Sequence, residues 1–247
     1  MIRYHGAPCT PLKVATDLYS GRHACVSMAH PQQLPLISDI AQSFILDNGA
    51  FSLWKTGKTL DVAQFVDFVA EWEKHPGFDW ALMPDAIDGD HHENAKMRAK
   101  WFAFGGRGGV PVWHMHEPLE VLRDLANAYP RIAFGSSGQF SSVGTAQWWS
   151  RMSEAMAVAC DEQGRPITKI HGLRMLAPTV FSHVPLASAD SCNVAMNVGL
   201  DSNWVGPYQP LTKSMRALVL ADRIEHHACA VRWSGSCGVQ QNMELVG

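Results

Sequence analysis

The chain has no apolar run of the ~18 residues needed to cross a bilayer, and its opening Met1-Ile-Arg-Tyr-His-Gly6 lacks the basic start and apolar stretch of a secretory signal. These absences lead us to expect a cytoplasmic protein without membrane contact. Charge is sparse as well: Asp, Glu, Lys and Arg make up 17% of 247 residues, and the formal net charge is −3. Broad nonspecific adhesion to nucleic acid is therefore disfavoured, while a local basic face stays open. The six cysteines, Cys9, Cys25, Cys160, Cys192, Cys229 and Cys237, are irregularly spaced, which argues against a disulfide framework in a chain this long. We expect them to be reduced. No internal repeat, low-complexity tract or long linker is visible. The 47% of apolar residues that are present suffice for one large core. A single domain over residues 1–247 is expected, with 234–247 as a flexible tail.

Short apolar runs at Ile2–Tyr4, Ala24–Met28, Phe44–Leu46, Trp80–Met83, Val110–Trp113, Ile132–Phe134, Ile170–Leu173 and Ser188–Ala189 read as strands, the last being the weakest. Helical patterns lie between them. In the clearest, Asp61–Lys74, residues Val62, Phe65, Val66, Val69 and Trp72 recur at helical spacing behind an acidic start. The others are Pro11–Tyr19, His92–Phe104, Pro118–Ala128, Ala146–Cys160 and Lys213–His227. Strand alternating with helix implies an α/β protein with a mostly parallel sheet. Up to eight such units fit a (β/α)8 TIM-like barrel, with an open doubly wound sheet as the alternative.

Three apolar runs end in an acid: Phe44-Ile-Leu-Asp47, Ala81-Leu-Met-Pro-Asp85 and Ser188-Ala-Asp190. Any one of them could simply cap the following helix. In a barrel, however, strand C-termini build the active site, and Asp47, Asp85, His114, Gly135, Arg174 or Met175, and Asp190 all fall there. Three carboxylates so placed suggest chemistry on a nucleobase or a sugar.

The motif Asp47-Asn-Gly-Ala-Phe51-Ser resembles the Asp-Ser-Gly-Gly-aromatic-Gln signature of the queuine tRNA-ribosyltransferase (tRNA-guanine transglycosylase) superfamily. In the same order, Met83-Pro-Asp85 resembles its base-reading acid segment, Ile132-Ala-Phe-Gly-Ser-Ser-Gly138 its glycine-rich strand end, and Ala189-Asp-Ser-Cys192 its nucleophile segment. The likeness runs from about Ala24 to Asn193. The bacterial tRNA enzymes carry a Cys-x-Cys-x-x-Cys plus His zinc site, a spacing absent here, and archaeal relatives add long C-terminal RNA-binding domains. The remainder is most similar to the phage-type DNA 7-deazaguanine transglycosylases, which exchange guanine in DNA for a 7-deazaguanine base.

The resemblance implies Asp190 as the nucleophile of a covalent sugar intermediate and Asp47 as the acid/base. It also implies Asp85 as reader of the purine ring N–H and exocyclic amine, and Phe51 as a stacking surface. Base swapping with retained configuration does require two displacements and a proton carrier. Asn48, His114, Gly135 and Ser136, with Arg174 or Met175, complete the expected substrate-binding set. For Phe51 the plainer reading is a core ring, for Gly135 and Ser136 an ordinary turn, and for His114 a structural histidine. No metal or cofactor is expected. The expected partners are DNA, with tRNA as the alternative, and a 7-deazaguanine base, by default 7-cyano-7-deazaguanine (preQ0). A homodimer is left open, and a phage-encoded protein would work in the host cytoplasm.

A rival reading is a metal-dependent amidohydrolase-like hydrolase on the same barrel, because Trp113-His114-Met-His116 sets two histidines at alternate positions after a strand. His226 and His227 with Cys229 and Cys237 form a weaker metal candidate. Arg98, Lys100, Arg107, Lys55 and Lys58 are candidate phosphate contacts. Trp54, Trp148, Trp149 and Trp204 are candidate stacking rings, although most of them should be core, and Gly199–Pro210 is a candidate mobile loop.

Overall fold

The computed structural model describes residues 1–199 and 210–235. Its eight strands are β1 (Ile2–Gly6), β2 (His23–Ser27), β3 (Ser43–Asp47), β4 (Phe78–Ala81), β5 (Val112–His114), β6 (Arg131–Gly135), β7 (Lys169–Gly172) and β8 (Ser188–Ser191). They pair in the order β4-β3-β2-β1-β8-β7-β6-β5, and every ladder is parallel. In a doubly wound sheet the chain would return from its first edge to the centre. Here β5 lies at the edge opposite β4, and a parallel bridge between Leu82 and Val110 draws the two edges together. Met83 N–H donates to Val110 O at 2.8 Å, and Val110 N–H donates to Ala81 O at 2.9 Å. The architecture is α/β and TIM-barrel-like.

Side chains one residue apart on a strand point to opposite faces, and this sheet uses the alternation to build two cores. Phe44 and Leu46 of β3, Ile132 and Phe134 of β6, and Ala189 of β8 belong to the large core under the helices. Their neighbours point the other way. Tyr4, Cys25 and Ile45 form one inner cluster, and Leu82, Val110, Val112 and Ala133 form another, with Trp80 packed against both. The Trp80 ring lies 4.8 Å from His171 of β7, and the Arg131 guanidinium of β6 stands 5.2 Å from it. A residue of β4 touches β6 and β7 only because the sheet curls.

The helices are α1 (Leu12–Tyr19), α2 (Leu34–Ile40), α3 (Ala50–Lys55), α4 (Val62–Trp72), α5 (His91–Ala103), α6 (Leu119–Ala128), α7 (Ala146–Ala159), α8 (Pro178–Phe181), α9 (Asn193–Asn197) and α10 (Lys213–Glu225). The long ones fall where periodicity places them. In α4, Asp61 caps the first turn by accepting from Gln64 N–H at 3.1 Å. In α5, Asp90 and Glu93 form a reciprocal capping box. The sequence pattern leaves α2, α3, α8 and α9 unassigned, since segments of seven residues or fewer hold too little periodicity to read. Among the described residues no helix is long and apolar enough to cross a membrane. Most of the expected tail, 234–247, lies outside the described residues.

Phe134 is fully buried in the large core, edge-on to Trp113 at 5.2 Å. Phe134→Ala should therefore cost about 3–5 kcal/mol in urea unfolding through cavity formation. A loss below about 1 kcal/mol would show that this layer is not packed as described.

Candidate active site

The strand C-termini converge on a cavity of about 380 Å3, within the size range of small-molecule sites. Asp47, Asn48, Phe51, Asp85, His114, Gly135, Ser136, Arg174 and Asp190 all line it. Met175 does not. It is fully buried in the core beneath the helices, so the register after β7 gives the cavity to Arg174. Arg174 is the one non-glycine residue with positive φ among the described residues, at 59°, a left-handed conformation costing roughly 1–2 kcal/mol.

Asp47 ends β3, where it accepts from the Ser27 hydroxyl and from Gly49 N–H. Gly49, at φ 79°, turns the chain into α3 so tightly that a Cβ would lie 3.0 Å from Ala29 N. No other residue type fits that turn without displacement. Enclosure in the cavity, then the nearby Asp190 and Asp85 charges, push the Asp47 carboxyl up to about 7, with its two hydrogen bonds opposing.

Asp85 follows β4 and is buried. Asn48 Nδ2 donates to its Oδ1 at 2.6 Å, and His114 Nε2 lies 2.8 Å from its Oδ2. Burial works against a charged His114, but Asp85 outweighs it and the imidazole pKa is raised. His114 Nδ1 is buried without a partner. Gly135 stands against it, and a Cβ there would come within 3.0 Å of that nitrogen.

Asp190 ends β8. Its Oδ1 accepts from Arg174 N–H at 3.1 Å and lies 3.3 Å from His171 Nε2. The Arg174 side chain crosses the cavity, donating to Ser136 O at 2.7 Å and placing its guanidinium 4.4 Å from the Phe51 ring centre. Lys55 stands 4.6 Å from the same ring. The Ser136 hydroxyl is engaged by the Trp148 indole N–H at 2.9 Å, so Ser136 meets the cavity mainly through its backbone.

Sequence reasoning missed the supports. His171, Ser27, Asn94 and Glu117 are all polar, and a buried polar residue needs a partner. Asn94 of α5 accepts from Ala86 N–H at 2.8 Å and donates to Glu117 at 2.9 Å, while Glu117 accepts from His114 N–H at 3.0 Å. His171 could have been suspected as a lone polar residue inside an apolar strand pattern. The Asn94 contact, 23 positions from Glu117, left no sequence signal.

The remaining expectations divide. His116 spends both nitrogens on loops, 2.7 Å from Ser137 Oγ and 3.0 Å from Gly89 O. Among the described residues no group of three or more His, Cys, Asp or Glu is disposed to hold a metal ion. His226 Nδ1 meets Asp222 O and the Cys229 thiol faces Val184 O and Leu186 O, while Cys237 lies outside the described residues. Trp148 and Trp149 are buried core rings, which removes them as stacking surfaces. Trp54 remains, 46% exposed beside Phe51, its indole N–H donating to Asp88. Trp204 and nearly all of Gly199–Pro210 lie outside the described residues. Arg98 is partly buried, and Lys58, Lys100 and Arg107 are exposed. No protein-family model matches the chain, and neither does any curated protein.

The raised Asp47 carboxyl has a consequence for stability. An ordinary carboxyl value is 3.8, and in the folded chain the value is about 7. Between the two the folded state binds more protons than the unfolded state, so this group's stabilisation is full below about pH 4 and is lost as pH rises to about 7. Asp47→Asn should remove a slope on the order of 1 kcal/mol per pH unit and gain more, relative to wild type, at pH 8 than at pH 5. Equal differences at both pH values in urea unfolding would contradict the raised carboxyl. Separately, Asn94→Leu leaves Glu117 Oε1 and Ala86 N–H without the partner Asn94 supplies and should cost about 3 kcal/mol. An unchanged urea midpoint would show that the support is dispensable.

Proposed function

We propose that this chain is a base-exchange transglycosylase, working at the C-terminal mouth of a closed (β/α)8 barrel. Its substrate would be guanine in DNA, replaced by a 7-deazaguanine base, by default 7-cyano-7-deazaguanine. The observation that carries the reading is the pairing, in one cavity, of a carboxyl raised to about 7 at Asp47 with a second carboxylate, Asp190, tethered through one oxygen. Two carboxyl groups with different tasks are what a double displacement needs.

In the first displacement Asp190 attacks the sugar C1′ as the C1′–N9 bond breaks, and the Asp47 proton neutralises the departing guanine. In the second, Asp47 takes the N9 proton of the entering base, and N9 displaces Asp190 from C1′. Protons and electrons balance without an external co-reactant. Asp85 can read the ring N–H and amine of either base although Asn48 and His114 already bind it, because each carboxylate oxygen accepts more than one hydrogen bond. A base stacking on Phe51 would share or replace the cation contacts of Arg174 and Lys55. For duplex DNA the target guanine must leave the stack to reach the cavity, and Trp54 beside the mouth offers a ring for a neighbouring base. A metal-dependent hydrolase has less support, because the two nitrogens of His116 are already committed.

The test is incorporation of labelled guanine or 7-deazaguanine into DNA, with tRNA as a parallel substrate and chelator in a third arm. Exchange into DNA, insensitive to chelator, is expected. Asp190→Asn should abolish exchange and the trapped protein–DNA adduct while retaining base binding by calorimetry. Full exchange in that variant would overturn the assignment, and preference for tRNA would move the substrate.

A further inference from the structure

A buried polar relay climbs the inside of the sheet to Asp190. Arg131 Nη1 of β6 donates to Ser188 Oγ at 2.9 Å, and Ser188 Oγ lies 2.9 Å from His171 Nδ1. His171 Nε2 then lies 3.3 Å from Asp190 Oδ1. Ser188 and His171 are paired across β8 and β7, and Ser188 and Asp190 share one face of β8 because they are two residues apart. Ser188 and His171 are fully buried.

The donor and acceptor chemistry gives the relay one direction. An arginine can only donate, so Ser188 Oγ accepts from Arg131 and has its own proton to give. Among the described residues the neighbour left for that proton is His171 Nδ1. With Nδ1 accepting, the imidazole carries its proton on Nε2 and presents it to Asp190 Oδ1. The opposite tautomer would set an Nε2 lone pair against a carboxylate oxygen.

We propose that His171 is a positioning residue for Asp190: as the Nε2–H tautomer it joins Arg174 N–H in fixing Oδ1, leaving Oδ2 as the oxygen that attacks the sugar carbon. The attack rests on the base-exchange reading, whereas the tautomer does not. Among the described residues Oδ2 has no hydrogen-bond partner, while Oδ1 has two. In the step so defined, the Oδ2–C1′ bond forms as C1′–N9 breaks. His171 neither gives nor takes a proton.

A neutral imidazole suits this role, since an imidazolium would hold the carboxylate as an ion pair and blunt its attack. The groups facing His171 are Asp190 and Ser188 from β8, Arg131 from β6, the Tyr4 ring from β1 and the Trp80 ring from β4. Burial lowers the His171 pKa, Asp190 opposes that shift and Arg131 adds to it, with a net decrease. Facing Asp190 in turn are Asp47, Cys25, Cys192 and Arg174.

Two measurements test the proposal. Nitrogen-15 NMR of histidine-labelled protein, with His171 assigned by its loss in His171→Gln, should show a neutral ring protonated at Nε2 at pH 7. An Nδ1–H tautomer or an imidazolium would overturn the positioning role. In the exchange assay His171→Leu should lower kcat by ~10- to ~100-fold with little change in KM for the base. His171→Gln, whose amide can still donate near the Nε2 position, should recover most of that loss. Ser188→Ala keeps the imidazole and should shift the tautomer and lower kcat in the same direction, which covers a His171→Leu chain that fails to fold. Wild-type kcat in His171→Leu, or equal impairment in the Leu and Gln variants, would reduce His171 to packing. If the wild-type chain exchanges no base, the functional reading fails while the tautomer measurement still decides the hydrogen-bond relay.

Discussion

Three carboxylates share one enclosed cavity, and their mutual repulsion is the constraint around which the rest of the site is arranged. Asp47, Asp85 and Asp190 cannot all carry full charge cheaply at such close quarters within the fold. Each is handled differently. Asp85 is surrounded by Asn48 and His114, Asp190 is tied by His171 and Arg174 through one oxygen, and Asp47 bears the consequence as a carboxyl that titrates near neutrality. The same acids spread over a flat surface would all be ordinary anions.

That arrangement requires the loops after β4, β5 and β6 to hold their places. Backbone pairing is thinnest between β4 and β5, where a bridge between Leu82 and Val110 stands in for a ladder. The deficit is met by side chains. Asn94 and Glu117 link the segment after Asp85 to His114, and His116 spans from Gly89 to Ser137. Motif residues that look reactive in the sequence thus divide into those that face the cavity and those that hold the loops facing it.

The fold was legible because its signals are local. Each apolar run that reads as a strand is one, and the acid closing a run lies at the cavity because the C-terminal end of a parallel strand always points to the same side of the sheet. Asp47, Asp85 and Asp190 could be placed for that reason. The choice between Arg174 and Met175 could not, since it turns on a left-handed residue two positions beyond β7, and nothing in the sequence marks a non-glycine residue as left-handed. The roles of His116 and Trp148 could not be fixed for a related reason. Whether a polar or aromatic side chain serves a ligand or a neighbouring loop depends on contacts between distant segments, such as Trp148 with Ser136. Short α3 escaped notice because its start is set by the Gly49 turn and not by periodicity.

Arg174 does two jobs through one backbone unit. Its guanidinium covers Phe51 and binds Ser136 O, and its amide holds Asp190 Oδ1. A ligand arriving at Phe51 therefore competes for a side chain whose own main chain orients the carboxylate across the cavity. If the base-exchange reading holds, occupancy of the ring and orientation of the acid would be linked quantities, each changing the other by the same free energy. The left-handed backbone at Arg174 fixes both contacts at once, so a change in the φ of that one residue would move the guanidinium over Phe51 and the amide on Asp190 together.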